Sequence, residues 1–246
     1  MRKKLLYIIF FLALPFFNLL AQKNKQSAII CNYSYQIPFG SVAELFGNNS
    51  SVGTKFFIEK KNNYFYGLEV NYLFGSDIKD TNIFENISTS SGAIIASDGY
   101  YANINLMQRG FDSYLFFGKA FHFSKKNLSG IYISQGLGFL QYKLFIDTKN
   151  QDIPQLNEEM KKGYDRLTNG ISSKFSINYK YYSKNGRFQL VSGIHYTIAH
   201  TKHQRTYDFA NNFQYAEIKR WDKFLGFNLG IIIPISRINK EEFHYY

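Results

Sequence analysis

The sequence has one cysteine, one tryptophan and four prolines in 246 residues. A single cysteine excludes an intramolecular disulfide framework and any zinc or iron–sulfur site built from clustered cysteines. Long apolar runs are missing beyond the N-terminus, and a mean hydropathy of -0.27 is too low for a bundle of membrane helices. What is present is aromatic: 25 Phe and 20 Tyr, in a chain that is 45% hydrophobic. That is too apolar for disorder, and the length suits one domain. Basic residues outnumber acidic ones 29 to 18. They are scattered through turns and loops without forming a patch, so nucleic acid is not an expected partner.

The first residues read as a secretory signal peptide. Arg2, Lys3 and Lys4 precede the apolar run Leu5 to Leu14, and Leu19-Leu20-Ala21 supplies a small residue before Gln22. Pro15 and Asn18 interrupt the run, which falls short of the roughly 20 residues of a spanning helix. Cys31 lies past the polar stretch Gln22 to Gln26, away from the cleavage point, which argues against a lipoprotein. Cleavage after residue 21 leaves 26 basic and 18 acidic residues, a surplus of eight.

From Gln26 onward the chain alternates with period two. Tyr64, Tyr66, Leu68, Val70, Tyr72 and Phe74 share a face opposite Gly67, Glu69 and Asn71. Likewise Ile171, Phe175, Ile177, Tyr179 and Tyr181 oppose Ser172, Lys174, Ser176, Asn178 and Lys180. Leu225, Phe227, Leu229, Ile231, Ile233 and Ile235 oppose Gly226, Asn228 and Gly230. The pattern predicts strands at 26–38, 52–61, 64–76, 100–122, 128–146, 171–183, 187–200 and 222–236. A soluble β-sandwich also alternates, but its strands run to about 5–6 residues, whereas about 9–11 tilted residues cross a bilayer. Tyr33, Tyr35, Tyr64, Tyr66, Tyr179, Tyr181 and Tyr182 are placed near strand ends, as an aromatic girdle requires. Connections alternate between long (39–51, 77–99, 147–170, 201–221) and tight (61–63, 124–127, and 183–186 with Asn185-Gly186), the parity of long extracellular loops and short periplasmic turns. The fold class expected is all-β: a transmembrane antiparallel up-and-down β-barrel of eight strands. Ten remain open, because 93–106 reads locally as a hairpin around Ser97-Asp98-Gly99.

The final strand carries Asn228-Leu229-Gly230-Ile231-Ile232-Ile233-Pro234-Ile235. This is similar to the barrel-assembly signal, polar-x-Gly-x-x-apolar-x-apolar, of small outer-membrane barrels. Asn228, Gly230, Ile233 and Ile235 hold its positions. The mature chain 22–246 resembles the OmpA, OmpX and OmpW type throughout. The resemblance implies residence in the outer membrane among its lipids, lipopolysaccharide included, and delivery by the barrel-assembly machinery. The family's signal ends in a C-terminal aromatic, whereas this chain runs on through Arg237 to Phe243, Tyr245 and Tyr246.

An eight-stranded barrel is just wide enough for side chains to fill. Asn32, Gln36, Glu59, Glu69, Asn71, Lys174, Asn178, Lys180, Arg187, Gln189 and His195 are the expected lumen residues. Since buried charges need partners, Glu59 and Glu69 should meet Lys174, Lys180 or Arg187. A filled barrel favours a structural or interaction role, such as an accessory subunit of an assembly, secretion or uptake complex. Two rivals are a narrow conduit for small or amphiphilic solutes and a lipid-A-modifying enzyme, for which His122-x-Ser124 has same-face spacing. No enzyme activity, cofactor or metal is expected: His200, His203, Asp208 and Glu217 at the loop rim show no ligand spacing, and the two histidines fall on opposite faces. Lys202, Arg205, Lys219 and Arg220 flank the last loop and could face anionic lipid phosphates or serve solubility alone. Within the loops, Ser41 to Phe46 reads as a helix capped by Ser41 and ended by Gly47, and Gln155 to Lys162 as a second.

Overall fold

The computed structural model describes residues 26–80, 82–124, 127–183, 189–210, 213–214 and 219–237. The leader 1–21, Lys125 and Lys126, the 184–188 turn with Arg187, Glu217 and the tail bearing Phe243, Tyr245 and Tyr246 lie outside them.

Eight long strands follow the alternating segments: β1 Gln26–Gly40, β2 Asn49–Glu59, β3 Tyr64–Gly75, β4 Asn105–Ser124, β5 Asn127–Asp147, β6 Thr168–Tyr182, β7 Gln189–His203 and β10 Arg220–Arg237. Each is antiparallel to its neighbours, and the ladder closes in the order β1-β10-β7-β6-β5-β4-β3-β2. The two-residue strands β8 (Tyr207–Asp208) and β9 (Phe213–Gln214) pair only with each other, in the last loop. The segment that left ten strands open forms a single Ile95–Tyr101 bridge within a loop. Its turn passes through Gly99 at φ +80, and Ser97 N–H and Oγ donate to Asp152 of the next long loop, so it folds over the barrel and adds nothing to the wall.

Connections at one end are long (41–48, 76–104, 148–167 and 204–219), while those at the other end are short (60–63, 125–126 and 183–188). Asn63 closes the turn after β2 at φ +66, a conformation asparagine tolerates. The loop helices differ from expectation. Val42–Leu45 is helical, but the Ser41 side chain does not cap it and Phe46, not Gly47, is its C-cap. The second splits into a 3-10 turn, Pro154–Leu156, and a helix, Met160–Tyr164. Asn157 lies between them in extended conformation, its Oδ1 accepting from the Glu159 and Met160 N–H groups.

Alternation turns one side chain in two outward. Leu115 (67% exposed), Leu137 (65%) and Leu229 (66%) belong to a continuous apolar exterior with Phe117, Ile177, Ile194 and Ile231. Such a surface far exceeds the patches a soluble monomer tolerates, whereas hydrocarbon solvates it. Tyr64, Tyr179 and Tyr181 join this face. Tyr182 does not: one residue past Tyr181, it points inward and is 6% exposed. Tyr33 and Tyr35 lie within the wall rather than at its rim, and the Tyr33 hydroxyl is 2.7 Å from Ser50 Oγ. Pro234 is accommodated where the β1–β10 register shifts between Ser27 and Ala28, a bulge that spares a ladder bond.

Replacing Leu137, midway along β5, with Arg should cost about 2–4 kcal/mol if that face meets the bilayer midplane. Urea-dependent folding into phospholipid vesicles measures it; a water-facing site would shift by no more than about 0.5 kcal/mol.

Candidate functional site

The lumen is filled in three layers. At the short-turn end, Ala28, Ile30, Phe57, Phe65, Phe116, Tyr132, Tyr182 and Val191 form an apolar floor. Lys180 enters it with Nζ 3.3 Å from the Phe57 ring centroid and 4.0 Å from that of Tyr132. Below, Glu59 accepts from the Tyr132 hydroxyl (3.0 Å) and lies 2.7 Å from His122 Nε2. Of the cations expected for Glu59, Lys174 pairs with Glu69 instead, Lys180 lies against the Phe57 ring, and Arg187 lies outside the described residues. Glu59 ends β2 beside the turn, while Lys174 lies halfway up β6 and the Lys180 amine rests on aromatic faces.

The middle layer is polar and charge-balanced. Glu69 accepts from Lys174 through Oε1 and Lys55 through Oε2, each at 2.9 Å, and from Asn71 Nδ2 at 2.8 Å. Asn71 Nδ2 also donates to Asp112 Oδ1 at 2.5 Å, and Lys174 Nζ lies 3.7 Å from that oxygen. Two carboxylates thus face two ammonium groups, the condition under which buried charge is tolerated. Around them Asn228 donates to Asn178 (2.9 Å), Asn32 to Asn71 (3.3 Å), and Gln36 Nε2 lies 3.3 Å from His195 Nε2. Two close approaches require glycine. A Cβ on Gly226 would fall 2.2 Å from His195 Cε1, and one on Gly53 1.9 Å from Asn71 Oδ1. Gln189 is buried at the base of β7.

The sequence reading missed Lys55 and Asp112. Lys55 shares the period-two face of Glu59, a visible signal; Asp112 sits on the face of Tyr114 and Phe116, which reads as apolar. In the assembly signal, Asn228 and Gly230 take inward positions, while Ile233 and Ile235 face outward.

The third layer is a roof made by the long loops. Val42, Leu45, Phe46, Ile83, Ile94, Ile153, Leu156 and Tyr164 pack onto Leu73, Leu140, Leu144 and Phe224 at the strand tops. Polar contacts stitch the loops together: Arg166 reaches Asp80 (2.9 Å) and Asp208 (3.4 Å), and Arg205 Nε donates to Asp165 (2.9 Å). Arg220 donates to the Ser41 carbonyl at 2.7 Å, and Asn86 to that of Phe209 at 2.7 Å. Arg205 and Arg220 are thus loop staples, not lipid-facing cations, whereas Lys202 and Lys219 are exposed. The Asp165 hydrogen bond holds the Arg205 guanidinium above its ordinary pKa, and burial raises the Tyr164 phenol.

His122 engages groups other than Ser124 among the described residues. Both imidazole nitrogens are engaged, Nε2 with Glu59 and Nδ1 with the Leu128 carbonyl at 3.1 Å, and the register shifts between residues 122 and 124. His200 packs outward on Trp221, with ring centroids 5.0 Å apart, while His203 Nδ1 faces Thr168 Oγ1 at 3.1 Å. Among the described residues no group of three or more His, Cys, Asp or Glu could hold a metal ion.

No protein-family model matches the chain, and no curated protein sequence is similar to it. Among solved structures it is similar to Ail of Yersinia pestis, crystallised with the heparin analogue sucrose octasulfate (9% identity, 85% of this chain and 98% of that one, TM-score 0.44). It is also similar to neisserial surface protein A (10%, 84% and 96%, 0.43) and to OprG from Pseudomonas aeruginosa (11%, 86% and 97%, 0.39). All three are small outer-membrane β-barrels. The closed ladder and apolar exterior of this chain, argued on their own, make it an integral membrane barrel of the outer-membrane type.

Replacing Glu69 with Gln should destabilise the barrel by about 3–5 kcal/mol, because Lys55 and Lys174 lose their shared carboxylate. Adding Lys174→Met should recover part of the loss, since it removes one of those charges. Urea titration in vesicles reads both; equal stability of the wild type and the Glu69→Gln variant would refute the network's role.

Proposed function

We propose that this barrel is a structural or interaction protein of the outer membrane, an accessory subunit of a larger assembly, secretion or uptake complex, and that it is not an enzyme. In this reading the long loops face the cell exterior, and the partner meets their outer surface. The observation that carries it is the roof. Four loops contribute side chains to one apolar cluster over the barrel mouth, and Arg166 ties the second, third and fourth loops together. Loops that served only to connect strands would have no need of such cross-links, whereas a pre-organised surface lowers the entropy cost of binding. The filling of the lumen supports the same reading: among the described residues a polar layer lies between an apolar floor and an apolar roof.

Gentle detergent extraction from the native membrane, followed by native sizing and mass spectrometry of co-migrating proteins, tests the proposal. A reproducible complex well above the 28.7 kDa chain is expected. Replacing Arg166 with Ala should release its partners while the barrel still resists unfolding in detergent. A lone monomer from native membranes would overturn the subunit reading, and single-channel conductance in a planar bilayer would instead support a conduit.

A further inference from the structure

Arg109 on β4 and Lys143 on β5 are direct cross-strand partners, and both point outward. Like charges placed opposite one another on a sheet repel and destabilise it. Among the described residues neither forms an ion pair with a carboxylate. Arg109 lies over the rings of Tyr72 and Phe145, 5.9 Å from each centroid, and Nη2 lies 3.4 Å from Met107 Sδ. The pair sits between Phe111 and Phe139, whose rings are 5.9 Å apart on the short-turn side, and Met107 and Phe145 on the long-loop side. The next outward positions around the barrel are polar as well: Gln141, Asn169 and Lys202, in register.

Beside the pair lies a cleft of about 360 Å³ between the wall and the third long loop. Lys143, Lys161, Lys162 and Arg205 line it, with Asp147, Glu158 and Asp165. Two of its cations are neutralised locally, Lys161 by Glu158 at 2.9 Å and Arg205 by Asp165. Lys143 and Lys162 form no ion pair among the described residues, with Asp147 the third carboxylate of the lining, and Lys143 is the register partner of Arg109. A double positive charge on the outer face toward the long-loop end of the wall, with aromatic rings on either side and a cleft beside it, fits an anion that the membrane itself supplies.

We propose that Arg109, Lys143 and Lys162 bind the phosphorylated headgroup of a lipid in the leaflet on the long-loop side, its phosphate bridging the Arg109–Lys143 pair and its acyl chains lying on the wall below. Arg109 supplies a planar fork suited to phosphate, Lys143 and Lys162 point charges. The proposal rests on the membrane-spanning reading and assigns that surface a lipid class. It differs from the protein partner proposed for the outer surface of the loop roof.

The test uses the purified full-length mature barrel in detergent, with bisphosphorylated lipid A, its dephosphorylated form and inorganic phosphate as probes, read by native mass spectrometry and calorimetry. Wild type should retain the bisphosphorylated lipid, and the dephosphorylated form should bind at least tenfold more weakly. At about 1 kcal/mol for each cation near the surface, the Arg109→Gln/Lys143→Gln double variant should lose roughly thirtyfold in affinity. Lys119→Gln, on the same wall near the short-turn end, should bind as wild type does. In phosphatidylcholine vesicles the double variant should be as stable as wild type or more so, because the repulsion is gone; this separates lost binding from lost folding. Equal affinity of the double variant, or of the dephosphorylated lipid, would overturn the proposal. So would inorganic phosphate binding as tightly as the lipid, which would make this a soluble-anion site. Failure of wild type to insert into vesicles would overturn the membrane reading together with it.

Discussion

A bilayer offers no water to the backbone, so every N–H and C=O that crosses it needs a partner within the protein. For strands this requires closure, and the seam between β1 and β10 is where closure is made. From Gln26 to Gly40 the first strand pairs along its length with the last. Open that seam, and two strand edges would be left in hydrocarbon. Other features of the wall follow from this demand: long strands, few prolines, and the one proline of β10 placed at a bulge. The apolar exterior follows from the same medium, since whatever lies outside the ladder is solvated by lipid.

Closure with eight strands then dictates the interior. Eight strands enclose a space that side chains can fill, and here they do. Alternation allots these inward positions to the less apolar half of each strand, which forces charge into the lumen, and charge there must be paired. Glu69 accepting two lysines, with Asp112 alongside, meets that demand in one compact layer. Gly226 and Gly53 show how tightly it is packed, since neither position has room for a methyl group. Glu59, nearer the turns, is satisfied locally by His122 and Tyr132.

The wall was legible in the sequence because period-two alternation is a local property, repeated over ten or more residues in each strand. Faces were legible for the same reason, and the inward positions of Glu69, Lys174 and His195 follow from counting by twos. Contacts across the lumen were not, because which inward residues share a level depends on strand tilt and register, which no single strand records. Hence the pairing of Glu59 with His122 and Tyr132 is not readable from one strand, and Asp112 is hidden among aromatics. The roof was the least legible part. Arg166, Asp80 and Asp208 lie in three separate loops, with nothing periodic to mark them, and Arg205 and Arg220 read as surface charge until the loops were folded around them. Arg109 and Lys143 illustrate the same limit, since each is an ordinary basic residue until register sets them side by side.

Closure in a defined register is the claim on which all of this rests, and the native cysteine provides a direct probe of it. Cys31 on β1 is the register partner of Ile231 on β10, and both face outward. Directly opposed residues of an antiparallel pair lie within the Cα separation a disulfide spans. In the membrane-inserted Ile231→Cys variant, a membrane-permeable oxidant should rapidly join the first and last strands, giving a circular species of altered mobility even after boiling. Leu229→Cys, one pleat away, should stay reduced. Absence of the cross-link in the first variant, or equal cross-linking in both, would contradict the closed barrel and its register.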